Sequence, residues 1–155
     1  MDHRRRTVLK TGGSAAAIMA GSAAGLIGSE IEAATWNKAG FESKSTADAL
    51  KLLGAGAAQE SRDIQIKAPD IAENGAVVPV EVTSRIPNTQ SISIVAEKNP
   101  FPLVATYDLA NGAEGYASTR MKMGQTSNVR AIVKAGDKYF YAVKEVKVTI
   151  GGCGG

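Results

Sequence analysis

Val78-Pro79-Val80-Glu81-Val82 puts a valine at every second position, with proline and glutamate between them. Side chains alternate across a strand, so the three valines share one face and the other is left to solvent. Pro79 has no N–H to give a neighbouring strand, which predicts an edge strand or a bulge. The same period of two recurs on both sides. Ile64 and Ile66 alternate with Asp63, Gln65 and Lys67, and Ile92, Ile94 and Ala96 form a third apolar face. Leu103, Ala105, Tyr107 and Leu109 form a fourth, after the stiff Asn99-Pro100-Phe101-Pro102 connection. Residues 116–123 and 128–134 continue the pattern, and the last strand is expected from about Lys138 through Ile150. Turn residues fall between the runs: Asn74-Gly75, Pro87-Asn88, Asn111-Gly112 and Ala135-Gly136-Asp137. Seven short strands so spaced predict an all-β, immunoglobulin-like antiparallel β-sandwich.

One short helix should precede the strands. Ser45-Thr46-Ala47-Asp48 has the hydroxyl cap and the acid three positions on that resemble a capping box. Leu50, Leu53 and Ala57 then fall on one helical face, and Gly54 and Gly56 limit the helix to about three turns.

In Val146-Lys147-Val148-Thr149-Ile150 the three apolar residues are expected to anchor one face while Lys147 and Thr149 point outward. Burial of each such side chain stabilises by about 1.5–3 kcal/mol. Beyond Ile150 come Gly151, Gly152, Cys153, Gly154 and Gly155, a flexible arm almost without side chains that carries the sole cysteine. Fully extended, the chain from Ile150 reaches Cys153 across roughly 10 Å. A thiol on so bare a tether can enter a narrow pocket of another protein, as a carrier requires.

The first residues read as an export leader. Arg4-Arg5-Arg6-Thr7-Val8-Leu9-Lys10 resembles the twin-arginine consensus, with Arg5 and Arg6 as the paired arginines and Val8 in place of the usual Phe. Thr11 to Ser29 is uncharged and rich in Ala and Gly. A spanning helix needs ~20 predominantly apolar residues, and the many Gly and Ser residues argue against stable membrane insertion. The expected organisation is a signal peptide over 1–34, a carrier domain over 35–150 and the arm over 151–155. A general secretory signal would also have a basic start and an apolar middle, but the weak hydrophobicity and Lys10 favour periplasmic location by the twin-arginine route.

Removal of that leader takes away His3, the sole histidine, and leaves 14 Lys/Arg against 12 Asp/Glu, a net of +2. Without histidine a Ser-His-Asp or Cys-His arrangement is excluded. One thiolate without imidazole also argues against a zinc site. No phosphate-cradling glycine loop occurs, and the carboxylates are scattered with no acid–base pair singled out. Accordingly no catalytic residue, cofactor or metal is expected: the protein is acted upon and is not an enzyme. An exported chain normally uses cysteines in pairs, so the unpaired Cys153 reads as a reactive thiol. A free thiol titrates near 8.5 and is mostly protonated at neutral pH, so its activation is expected from partner enzymes.

Charge is shared unevenly. Residues 35–114 hold seven Lys/Arg against ten Asp/Glu, whereas residues 115–155 hold seven against two. Cations gathered at the root of the arm would favour anionic adducts and acidic partners. The modest net charge argues against nucleic acid, and Tyr139-Phe140-Tyr141 reads as packing rather than a base-stacking platform.

The leader, the strand-rich domain and the terminal Gly-Gly-Cys-Gly-Gly together resemble the SoxY family of thiosulfate-oxidation carriers. Internal stretches are similar too: Ala72-Glu73-Asn74-Gly75-Ala76-Val77-Val78-Pro79-Val80, Glu97-Lys98-Asn99-Pro100 and Arg120-Met121-Lys122-Met123-Gly124-Gln125-Thr126. The resemblance implies a heterodimer with a SoxZ-like subunit and covalent attachment of sulfur intermediates at Cys153. It further implies three visiting enzymes. A haem-containing enzyme conjugates thiosulfate to the thiol, a metal-dependent hydrolase releases sulfate, and in some organisms a sulfane dehydrogenase oxidises the remaining sulfur.

Two other classes compete. In a ubiquitin-like carrier the terminal Gly154-Gly155 would become a thiocarboxylate, but that chemistry needs ATP and leaves Cys153 without a role. An exported structural domain crosslinked through Cys153 would show only dimers, where a carrier shows sulfur adducts.

Overall fold

The computed structural model describes residues 37–110 and 112–149. The expected leader (1–34), with Arg5 and Arg6, and the arm (151–155), with Cys153, lie outside the described residues, as do Thr35, Trp36, Asn111 and Ile150.

Two short helices open the described chain. Helix α1 (Lys38–Glu42) escaped the sequence reading: it has five residues, and its start is fixed by Asn37, whose Oδ1 accepts from the Gly40 N–H. Helix α2 (Thr46–Leu52) is the predicted one. Ser45 accepts from the Asp48 N–H at 3.1 Å, and its hydroxyl donates to the Asp48 carboxylate at 2.7 Å. It is shorter than three turns, because Gly54 at φ 75° turns the chain and lets Ala55 N–H donate to Leu50 O. Ala57 is therefore exposed rather than on the apolar face, and Ala55 is buried instead.

All seven predicted strands are present: β2 (Ile64–Lys67), β4 (Val78–Ser84), β5 (Thr89–Ala96), β6 (Leu103–Asp108), β7 (Tyr116–Met121), β8 (Ser127–Ala135) and β9 (Lys138–Val148). Two more, β1 (Gln59–Glu60) and β3 (Ile71–Ala72), are two residues long. Both run parallel to β9, against Phe140–Tyr141 and Lys147–Val148 respectively, so the sandwich is antiparallel except along that edge. One sheet has the order β1-β9-β8-β5-β6, with β3 also on β9, and the other has β2-β4-β7.

The two sheets close over one core. Val78, Val80 and Val82 of β4 face Ile92, Ile94, Val129, Ala131, Val133 and Val146, all fully buried. Pro79, expected on an edge or at a bulge, lies in the middle strand of its sheet, with no register shift in its pairings. The reason is register: β2 pairs with β4 only from Glu81 onward, so Pro79 has β7 alone beside it. A second departure is Leu103. A bulge opposite Ile94/Val95 shifts the register, and Leu103 turns away from Tyr107 and Leu109 to pack beneath the helices. Around it, Val95, Ile132, Tyr139 and Tyr141 form a smaller cluster with Phe41, Ala49, Leu50 and Leu53. Tyr139 and Tyr141 thus pack on the helix side and Phe140 on the core side, in keeping with the packing reading.

Candidate functional site

Strand β9 is the element that leads to Cys153, and its last described residues are held on both sides. Lys147 N–H donates to Asp70 O at 3.0 Å and Thr149 N–H to Ala72 O at 3.2 Å, both across the β3 edge. Between them Val148 N–H points the other way, where β8 has already ended with the Ser127–Val146 pair. There the Thr126 hydroxyl takes the place of a strand carbonyl and accepts at 3.0 Å. Three successive N–H groups are satisfied up to Thr149. Regular strand ends at Val148, two residues earlier than predicted, and the fixed backbone continues to Thr149.

Packing reinforces these bonds. Val146 is buried and Val148 packs against the core, while Lys147 and Thr149 are exposed, as the alternation predicted. Gly75 lies against Val148: a Cβ there would meet Val148 Cγ1 at 2.8 Å and the Met123 carbonyl oxygen closer still. Its own carbonyl accepts from Met123 N–H at 2.7 Å. Asn74 shapes that turn by accepting from Ala76 N–H through its side chain and from Val77 N–H through its backbone. Ser127, buried, accepts from Lys98 N–H and donates to Asn128 O, which ties in the 97–102 loop.

The cations of the basic half are spread along the sheet. Lys134 and Lys138 sit at the β8–β9 hairpin, the end of β9 remote from Thr149. Lys144 is taken up by Asp70 at 3.0 Å and by Ala68 O, and Arg130 by Glu97 at 2.7 Å. Lys147 stays exposed near the strand end, with Asp70 and Glu73 also exposed in the neighbouring segment. The basic half of the chain therefore does not form one cationic field at the root, because β8 and β9 pair with segments from the acidic half.

Of the predicted site residues, Cys153, Gly151, Gly152, Gly154, Gly155, Arg5 and Arg6 are outside the described residues, so the described part of the site is its root. Sequence reasoning assigned no role there to Thr126, Gly75 or the Ile71–Ala72 strand. Asn74-Gly75 had been read as a turn, which was the available signal for Gly75. Among the described residues there is no group of three or more His, Cys, Asp and Glu placed to hold a metal ion. Among them also no helix is long and apolar enough to cross a membrane.

Fold and root define a class: an immunoglobulin-like β-sandwich whose last strand is fixed to its end and leads into a glycine-flanked thiol. A family model described as sulfur oxidation protein SoxY matches residues 49–153. Among solved structures, the sulfur carrier protein SoxY from Chlorobium limicola f thiosulfatophilum is 47% identical with a TM-score of 0.60, covering 66% of this chain and 96% of that one. A superoxide reductase (neelaredoxin) from Ignicoccus hospitalis is 20% identical with a TM-score of 0.50, covering 68% and 93%. That second likeness is one of fold alone. No curated protein sequence matches the chain. The chain belongs to the SoxY family of sulfur oxidation proteins.

Proposed function

We propose that the protein is a periplasmic sulfur carrier that holds thiosulfate-derived groups on Cys153 and presents them to sulfur-oxidising enzymes. The observation that carries this reading is the family match, which runs from Ala49 through all the strands and ends on Cys153. A backbone bonded through Thr149 supports it, because any freedom of the thiol is then confined to the residues between.

In this reading residues 1–34 are a leader whose Arg5 and Arg6 direct twin-arginine export. Residues 35–150 are the carrier domain and 151–155 the arm. A SoxZ-like subunit completes a heterodimer. In the haem-containing partner the Cys153 thiolate and the outer sulfur of thiosulfate would form an S–S bond, and the two electrons released would pass to that partner one at a time. In the hydrolase, water attacks the sulfonate sulfur and the bond to the sulfane sulfur breaks. Sulfate and two protons depart, and a persulfide anion stays on Cys153. Where a sulfane dehydrogenase exists, it oxidises that remaining sulfur. Gly151, Gly152, Gly154 and Gly155 leave the thiol free of side-chain bulk, so different active sites can admit it. The chain is substrate throughout, and the catalysis belongs to its partners.

The test is a mass measurement with a genetic arm. The terminal peptide of protein purified from thiosulfate-grown cells is expected to carry sulfur, sulfonate or thiosulfate on Cys153. A Cys153→Ser chain is expected to abolish sulfate production from thiosulfate. Wild-type sulfate production by that variant overturns the reading, and dimers as the sole modified species would favour a crosslinker.

A further inference from the structure

We propose that Ile71 and Val77 form an apolar shoulder on which the enzymes that act on Cys153 dock; this rests on the covalent-carrier reading above. Single exposed apolar residues are ordinary on protein surfaces and by themselves mean nothing. Ile71 is nevertheless 58% exposed, the highest value among the exposed large hydrophobics of the described residues, and Val77 is 52% exposed. Both lie beside the end of β9. Ile71 pairs in register with Lys147, and the next residue, Ala72, accepts the Thr149 N–H. Val77 closes the turn begun by Asn74, in which Gly75 packs on Val148.

Chain geometry says what must cover them. Cys153 is four positions beyond Thr149, so the thiol is at most roughly 14 Å of backbone from the fixed strand end. A catalytic centre that reaches the sulfur therefore has its protein body within that distance of Thr149. A transient encounter buries up to about 600 Å² on each partner, a disc of roughly 14 Å radius. Neighbouring strands lie only ~4.8 Å apart, so a disc centred on Thr149 takes in Ile71. The charges close by are of both signs: Lys147 stays exposed, and so do Asp70, which holds Lys144, and Glu73. The occupant is accordingly an enzyme whose active-site mouth is rimmed by apolar side chains with mixed charges outside them.

The cleft beneath the helices is excluded by the same arithmetic. A cleft of about 410 Å³ lies between the helices and the sheet, lined by Phe41, Leu52, Ser93, Ile132, Lys134 and Tyr139 among others. Ten residues of extended chain lead from Tyr139 to Thr149, roughly 33 Å, beyond the reach of this chain's own Cys153. Leu52, which is exposed and lines that cleft, serves as a control.

The experiment uses the full chain with its partner subunit, charged with thiosulfate at Cys153, as substrate of the sulfate-releasing hydrolase. Ile71→Ser/Val77→Ser is expected to raise KM by roughly tenfold with kcat, thermal midpoint and the iodoacetamide alkylation rate of uncharged Cys153 unchanged. Leu52→Ser is expected to behave as wild type. A KM for the double variant within about twofold of wild type overturns the docking surface and leaves the carrier reading intact. Loss of the partner subunit from the double variant, or a changed oligomeric state, would put the shoulder in a permanent interface and also overturn it. Equal sulfate release from a Cys153→Ser chain overturns the carrier reading itself, and the shoulder with it.

Discussion

The Val148 N–H and the Thr126 hydroxyl oxygen are 3.0 Å apart, and this one side chain stands in for a strand that has run out. Strand β8 ends its pairing at Ser127, two residues short of the position opposite Val148, while the β3 edge serves the other side through Asp70 and Ala72. The chain leading to Cys153 is thus gripped from two sides at successive residues. The backbone bonding reaches Thr149.

Loss of the Thr126 hydroxyl should loosen that grip locally. Thr126→Val removes an acceptor of nearly the same shape, at a cost of about 1 kcal/mol. Amide exchange at Val148 and Thr149 is expected to quicken, while Ala131 and Ala142 in the centre of the sheet keep their protection. Thr126→Ser should restore wild-type exchange. Equal exchange in the Val and Ser variants would show that the hydroxyl does not hold the strand.

Gly75 admits no side chain. The backbone carbonyl of Met123 occupies the space a Cβ would take, and a carbonyl within a loop bond cannot swing aside as a flexible side chain can. Gly75→Ala is expected to destabilise by about 1–3 kcal/mol through forced separation of the 73–77 turn from Val148 and Met123. Gly124→Ala, one residue along the facing loop, meets nothing within 4 Å and should leave stability unchanged within about 0.5 kcal/mol. Chemical denaturation of both variants gives the comparison directly.

The strands were legible in the sequence because alternation over four or more residues is a signal of its own. Gln59–Glu60 and Ile71–Ala72 were not, since two residues carry no period and both are strands only because β9 lies beside them. Pro79 misled for a related reason. Its local chemistry forbids a bond, but whether a neighbour is there to want one depends on where β2 ends. The candidate thiol was plain from composition and spacing. The residues that hold its root were not, because Thr126 and Gly75 act through Val148, which is 22 and 73 positions away. Charge counted by halves did not show that Lys144 meets Asp70 and Arg130 meets Glu97, both acids from the other half.

Glu97 and Arg130 are the clearest of those long-range pairs. Glu97 Oε1 accepts from Arg130 Nε and Nη2 at 3.0 and 2.7 Å, and Oε2 accepts from Asn128 Nδ2. The guanidinium also lies over the Tyr141 ring at 4.7 Å. With side chains only 23% and 22% exposed, the pair falls between a solvated and a buried salt bridge. Glu97→Gln is expected to cost about 1–3 kcal/mol. The solvent-facing Lys67–Glu81 pair, by contrast, should lose no more than about 0.5 kcal/mol in Glu81→Gln. A double-mutant cycle on Glu97 and Arg130 that returns no coupling would contradict this ranking.

Bulk beside the thiol should hinder delivery without touching the fold. Gly152 and Gly154 flank Cys153 directly. A valine at either position adds a β-branched side chain that both narrows the backbone's choices and widens the arm where it must pass an active-site mouth. Gly152→Val and Gly154→Val are therefore expected to lower turnover by each tail-acting enzyme while the thermal midpoint stays that of wild type. Alkylation of Cys153 by a small reagent should remain close to wild type, because such a reagent needs no narrow passage. If turnover with every purified partner is unchanged in both variants, the slender-arm mechanism is wrong, even though Cys153 could still be the attachment point. Slowed turnover with slowed alkylation would instead locate the effect in the thiol's own reactivity.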